Sequence, residues 1–89
     1  MRAVVTVVGK DAVGILAKVS AKCAEASVNV NEVTQSILED MFCMIMLCDI
    51  SGLSKSFGEF SDEMQKLGDE LGMKVHFMHE SIFNSMHRI

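Results

Sequence analysis

Every position from Met41 to Cys48 is apolar, a run of eight residues without a charge or a side-chain amide. A helix needs ~20 such residues to cross a bilayer, so a run this short reads as a buried strand and not a membrane span. Side chains alternate along a strand, which puts Phe42, Met44, Met46 and Cys48 on one face and Met41, Cys43, Ile45 and Leu47 on the other. Both faces are apolar, as in a central strand covered on two sides. A sheet built around this strand must therefore cover both faces, and whatever its own helices leave open calls for a partner.

The 89 residues make one domain, and 49 % apolar against 22 % charged residues exclude both a disordered tail and a multidomain enzyme. Eight basic and twelve acidic residues give a net charge of −4 with no basic block. The counterion release that drives binding to a phosphate backbone is thus largely missing, and no direct nucleic-acid partner is expected. Three cysteines, an odd number, and no basic-then-apolar leader point to a reducing, cytoplasmic setting.

Arg2 to Val8 is dense in β-branched residues and ends at Gly9, the pattern of a strand buried on both faces. A turn over Gly9 to Gly14 follows, in which Asp11 is placed to cap a helix. Leu16, Val19, Cys23 and Ala26 mark the apolar face of that helix, which ends near Ser27. Alternation then resumes at Val28 and slips phase between Val30 and Val33, which predicts a β-bulge near Asn31-Glu32. Glu39-Asp40 makes a short polar break into the Met41 strand, consistent with a hairpin. Phe57, Phe60, Met64, Leu67 and Leu71 form the stripe of a second helix stopped by Gly72, and Met73, Val75 and Phe77 alternate with Lys74, His76 and Met78 in a fourth strand.

The order βαββαβ in about 80 residues predicts an α+β, ferredoxin-like fold: a four-stranded antiparallel sheet with two helices on one face. Residues 1–89 are one domain, a core over 1–80 and a short helical tail over 81–89, in which Ile82, Phe83, Met86 and Ile89 recur at helical spacing. A helix that short must dock to persist. The second sheet face is left apolar, so a homodimer or higher homo-oligomer is expected.

No residues assemble into recognisable catalytic chemistry. There is no Gly-x-Ser-x-Gly elbow and no cysteine in a cationic loop, and no enzyme activity is expected. Cys43 and Cys48 lie five apart on one strand and point to opposite faces, and Cys23 belongs to the buried face of the first helix. His76 and His79 likewise face opposite ways, so partly buried, hydrogen-bonded histidines are expected in place of metal ligands, although a dimer could gather His79, Glu80 and His87. Gly9-x4-Gly14 lacks the Lys-Ser/Thr of a phosphate loop, since Ile15-Leu16 stands there. The central strand lacks the stacking aromatics of an RNA-binding sheet, and residues 9–14 lack the thiolates of a copper chaperone. No metal or cofactor is expected.

The turn remains. Gly9 and Gly14 allow close backbone approach, Asp11 offers a carboxylate, and the N-terminus of the helix presents N–H groups suited to a small anion. The crossover is expected to bring Asn29 beside it, and a symmetric dimer would set Asn29 or Asn31 against a neighbouring subunit's turn. The same residues also make a plain helix cap with turn glycines.

The segment Val5-Thr6-Val7-Val8-Gly9-Lys10-Asp11-Ala12-Val13-Gly14-Ile15-Leu16, followed by Ser27-Val28-Asn29-Val30, resembles the ACT domain over nearly the whole chain. Phe42 to Met46 and the tail Glu80 to Ile89 resemble small stand-alone ACT proteins in particular, and the chain is also similar to the ACT modules of the glycine cleavage system repressor. The resemblance implies a regulatory module for a small-molecule effector, usually an amino acid, held at a subunit interface. It implies a ligand site drawn from Gly9, Lys10, Asp11, Ala12, Val13, Gly14 and Ile15 together with Asn29, Val30 and Asn31. Asn29 and Asp11 would take the ligand's amino group, and the N–H groups of Gly14 and Ile15 its carboxylate. Val13 stands where many members carry proline. Two functions follow: a sensor whose bound state a separate protein reads, or a ligand-free subunit for protein interaction and oligomerisation.

Overall fold

A computed structural model describes residues 1–10 and 13–86. The chain runs β1 (Arg2–Gly9), α1 (Ile15–Glu25), β2 (Asn29–Leu38), β3 (Met41–Asp49), α2 (Phe57–Leu71), β4 (Lys74–His79) and α3 (Glu80–Met86). The four strands form one sheet in the order β2-β3-β1-β4, and every pairing is antiparallel. This is the ferredoxin-like plan that the alternation of periods predicts. The phase slip in β2 is a register shift between Val30 and Glu32, where Asn31 is the extra residue.

Strand β3, apolar from Met41 to Cys48, sits between β2 and β1. Its Phe42, Met44, Met46 and Cys48 are buried in the core with Val5 and Val7 of β1, Val19 and Cys23 of α1, and Phe60 and Met64 of α2. The opposite face is only partly covered: Met41 and Ile45 remain in contact with solvent, as does Val8, so β1 is not buried on both faces along its whole length. The tail helix α3 packs against β1 and β4. Arg2, on that open face, binds Glu80 at 2.6 Å and so anchors the start of α3, and Val4 beside it is buried. His87 and Ile89 of the tail lie outside the described residues.

Glycine geometry sets one end of each of α1 and α2. Gly72 adopts φ 69° beyond α2, where its N–H bonds to Asp69 O and that of Met73 to Gly68 O, closing the last turn. At its other end Ser56 Oγ accepts from the Glu59 N–H at 3.1 Å, a cap that the apolar stripe alone does not reveal. α1 starts from Gly14, at φ 71°. The buried stripe is therefore Ile15, Val19 and Cys23, and Leu16 points outward, contrary to the sequence expectation. Both stripes share Val19 and Cys23, so periodicity alone does not choose between them.

The hairpin is tight, with Leu38 paired to Met41 across Glu39-Asp40. Glu39 adopts φ 59°, a left-handed conformation that costs a side chain with a Cβ about 1 kcal/mol. Glu39→Gly relieves this strain, less the roughly 0.4 to 1 kcal/mol by which glycine frees the unfolded chain, and is expected to stabilise the domain by up to about 0.5 kcal/mol, readable as a higher urea midpoint at unchanged m-value.

Candidate functional site

The two glycines of the turn after β1 are required for different reasons. A Cβ on Gly14 would meet nothing within 4 Å, so it is the positive φ that calls for glycine. A Cβ on Gly9 would lie 2.7 Å from Met73 Cε, so here close packing requires it. Gly14 is the N-cap of α1 and supplies no side chain to its first-turn N–H groups, which have no intrahelical partner. The expected cap, Asp11, lies outside the described residues with Ala12, and the position of the N-cap falls to Gly14. Val13 is 88 % exposed. Lys10 reaches Asp40 of the hairpin at 3.9 Å, with both side chains largely in water.

Asn29, Val30 and Asn31 open β2. Asn29 Nδ2 donates to Asn31 Oδ1 at 2.9 Å, which joins the two amides across the bulge and holds them as one polar unit on the surface. Val30 is half-buried against the core.

These two halves do not meet within one chain. Asn29 is paired with Asp49, which is paired with Arg2, whereas Gly9 is paired with Phe42, which is paired with Ile37. β1 and β2 both run antiparallel to β3, hence parallel to each other, and α1 returns the chain to the end where β1 began. Seven steps of ~3.3 Å separate Arg2 from Gly9, which places Asn29 ~23 Å along the sheet from the turn. The expectation that Asn29 lies beside its own turn is thus corrected by the register.

The remaining candidates are structural. Cys43 lies half-buried on the open face and Cys48 is buried in the core, as their spacing predicts. Sequence reasoning missed that Cys48 meets Cys23: the Cys48 S–H donates to the Cys23 sulfur, which together with burial pushes the Cys48 thiol far up, so it stays protonated. His79 is held by ring stacking on Phe57, with centroids 4.1 Å apart and planes 9° apart, in place of the expected hydrogen bonds. His76 is exposed. Among the described residues no group of three histidine, cysteine or carboxylate side chains could hold a metal, and no helix is long and apolar enough to cross a membrane.

One concavity adjoins the turn. A groove of about 640 Å³ lies at the end of the sheet that carries Gly9 and Lys10, and its other walls come from Met41 and from the α2–β4 connection through Gly72 and Lys74. The sequence reading missed the α2–β4 side; the signal available was a helix-stopping glycine two residues before a lysine.

The ACT domain family model matches residues 2–78. The chain belongs to the ACT domain family. A UPF0237 family protein of Listeria innocua is 49 % identical over 89 residues, the whole of both chains. An ACT domain protein from Streptococcus pneumoniae has the same fold, with a TM-score of 0.82, 35 % identity and 93 % of each chain covered. A structure assigned to a glycine cleavage system transcriptional repressor matches 85 % of this chain and 43 % of its own at a TM-score of 0.69 and 20 % identity, a likeness of fold alone. ACT domains are regulatory ligand-binding modules.

Proposed function

We propose that this ACT domain binds an amino acid between two copies of itself and passes the bound state to a separate protein in the cytoplasm. The observation that carries this reading is the ~23 Å between Asn29 and the turn within one chain. An effector that needs both can be held only if a second copy supplies one of them.

The flank of β2 is suited to that second copy. It is an edge strand of ten residues, nearly all exposed, and such an edge offers a row of unpaired backbone groups. Exposed apolar side chains lie along this strand: Val33, Ile37 and Leu38, the last two 72 % and 73 % exposed. Pairing two β2 edges antiparallel about a two-fold axis sets Val33 near its own copy at the axis and buries Ile37 and Leu38 against the opposite end of the second strand. It also sets the Asn29 end of one strand beside the Leu38 end of the other, the end where that copy carries its turn. The Asn29-Asn31 amides of one subunit then approach the α1 N-terminus of the next. A carboxylate at the helix N–H groups and an ammonium at the Asn29 and Asp11 oxygens match an α-amino acid at both poles.

Thermal unfolding with each of the twenty amino acids at millimolar concentration tests this. At a ligand concentration near 100 times Kd, the gain is about 2.7 kcal/mol, a rise in midpoint of roughly 10 °C or more for a domain of this size. The rise is expected for one or a few amino acids and is expected to vanish in Asn29→Ala. A midpoint that none of them moves overturns the amino-acid reading and leaves a ligand-free interaction subunit.

A further inference from the structure

The groove at the sheet end has a structural origin. β1 and β3 pair as far as Gly9 and Phe42, but β4 starts one step lower, with Lys74 opposite Val8. The gap above Lys74 is bounded by Gly9 and Gly72, two residues with no side chain to fill it, and Gly72 at φ 69° turns the chain away from the sheet. Met73 lies across Gly9 and forms an apolar wall, completed by Val8, Met41 and Leu71. Val8 and Met41 remain partly exposed there.

The charges at the groove are unequal. Lys10 and Lys74 line it with one carboxylate, Asp69. Among the described residues Lys74 has no ion-pair partner, and Lys10 has only the distant, solvated contact with Asp40. A pair of that kind is worth little and gives way easily to a better acceptor. Asp69 and the C-terminal end of α2, the negative pole of the helix, disfavour a second negative charge. A volume of about 640 Å³ lies within the usual range for small-molecule sites and exceeds the need of a single amino acid.

We propose that this groove binds an amphipathic monocarboxylate, whose apolar body lies on Met41, Met73 and Leu71 and whose carboxylate meets Lys10 and Lys74. The site lies within one subunit and needs neither Asn29 nor a second copy, although it shares Gly9 and Lys10 with the turn of the amino-acid site.

Octanoate is the probe, titrated into the whole protein and followed by backbone amide chemical shifts. Saturable shifts are expected at Gly9, Gly72 and Lys74, with binding by octan-1-ol about ten-fold weaker because one charge-assisted contact is lost. Lys74→Glu is expected to weaken octanoate about ten-fold and Lys74→Arg to keep it within about two-fold, while Asn29→Ala binds as the wild type does. No saturation by about 10 mM, equal binding of the alcohol, or shifts centred on Cys43 and Ile45 in place of Gly9 and Gly72 would each overturn the proposal. Octanoate binding that survives in a protein unresponsive to every amino acid supports this site and sinks the other.

Discussion

Gly68→Ala is expected to lower the unfolding midpoint by roughly 8 to 16 °C, the largest loss foreseen for any single methyl group added to this chain. A Cβ at Gly68 would lie 2.7 Å from the Met73 carbonyl oxygen and 2.8 Å from Val75 Cγ2. Neither neighbour is the free end of a flexible side chain. The carbonyl belongs to the turn into β4, and Val75 is buried in the core, so α2 and β4 must separate to admit the methyl. Overpacking of this sort costs about 1 to 3 kcal/mol, and the better helix propensity of alanine offsets up to ~1. A net loss near 2 kcal/mol at about 4 to 8 °C per kcal/mol gives the stated shift. Gly58, in the same helix, is the matched control: a Cβ there meets nothing within 4 Å. Gly58→Ala is expected to stabilise by up to ~1 kcal/mol. Equal effects at the two positions, by calorimetry, would mean that the approach of α2 to β4 is not the constraint on Gly68.

Such contacts mark where sequence reasoning stops. The uninterrupted apolar run of β3, the 3.6-residue stripe of α2 and the phase slip at Asn31 are local patterns, and each forms the element it predicts. Only the first member of the α1 stripe differs, Ile15 in place of Leu16, because the two are equally apolar and only the left-handed Gly14 fixes where the helix begins. The meeting of Cys23 with Cys48, the stack of Phe57 on His79, and the groove between Gly9 and Gly72 join residues distant in sequence, and no local period encodes them. The candidate site was legible in its parts and not in its assembly. Its turn could be read from Gly9 to Ile15 and its amide from Asn29. That a strand, a helix and a parallel strand return the chain to its starting end was available in the element order, and it separates the two halves by the length of the sheet.

The separation makes the oligomer the decisive variable, and Ile37→Lys is expected to dissociate the proposed β2–β2 dimer into monomers. At 72 % exposure Ile37 contributes little to the fold of one chain, so the substitution should shift monomer stability by no more than about 0.5 kcal/mol. In a two-fold β2–β2 contact the side chain is buried twice, once from each copy. Burying it contributes about 1.5 to 3 kcal/mol per copy, so its loss weakens the dimer by about 3 to 6 kcal/mol, a factor of 10² to 10⁴ in Kd. Sedimentation equilibrium at micromolar concentration reads the change directly. Ile45→Lys supplies the contrast, because Ile45 lies on the open sheet face, where β3 is also apolar and partly exposed. If the edge is the interface, Ile37→Lys dissociates the protein and abolishes any rise in midpoint with amino acid, while Ile45→Lys does neither. The reverse result assigns the interface to the open face and removes the geometry that brings Asn29 to a neighbouring turn. An amino-acid response that persists in a monomeric Ile37→Lys protein would require a ligand site built without Asn29 opposite the turn, since within one chain the two stand at opposite ends of the sheet.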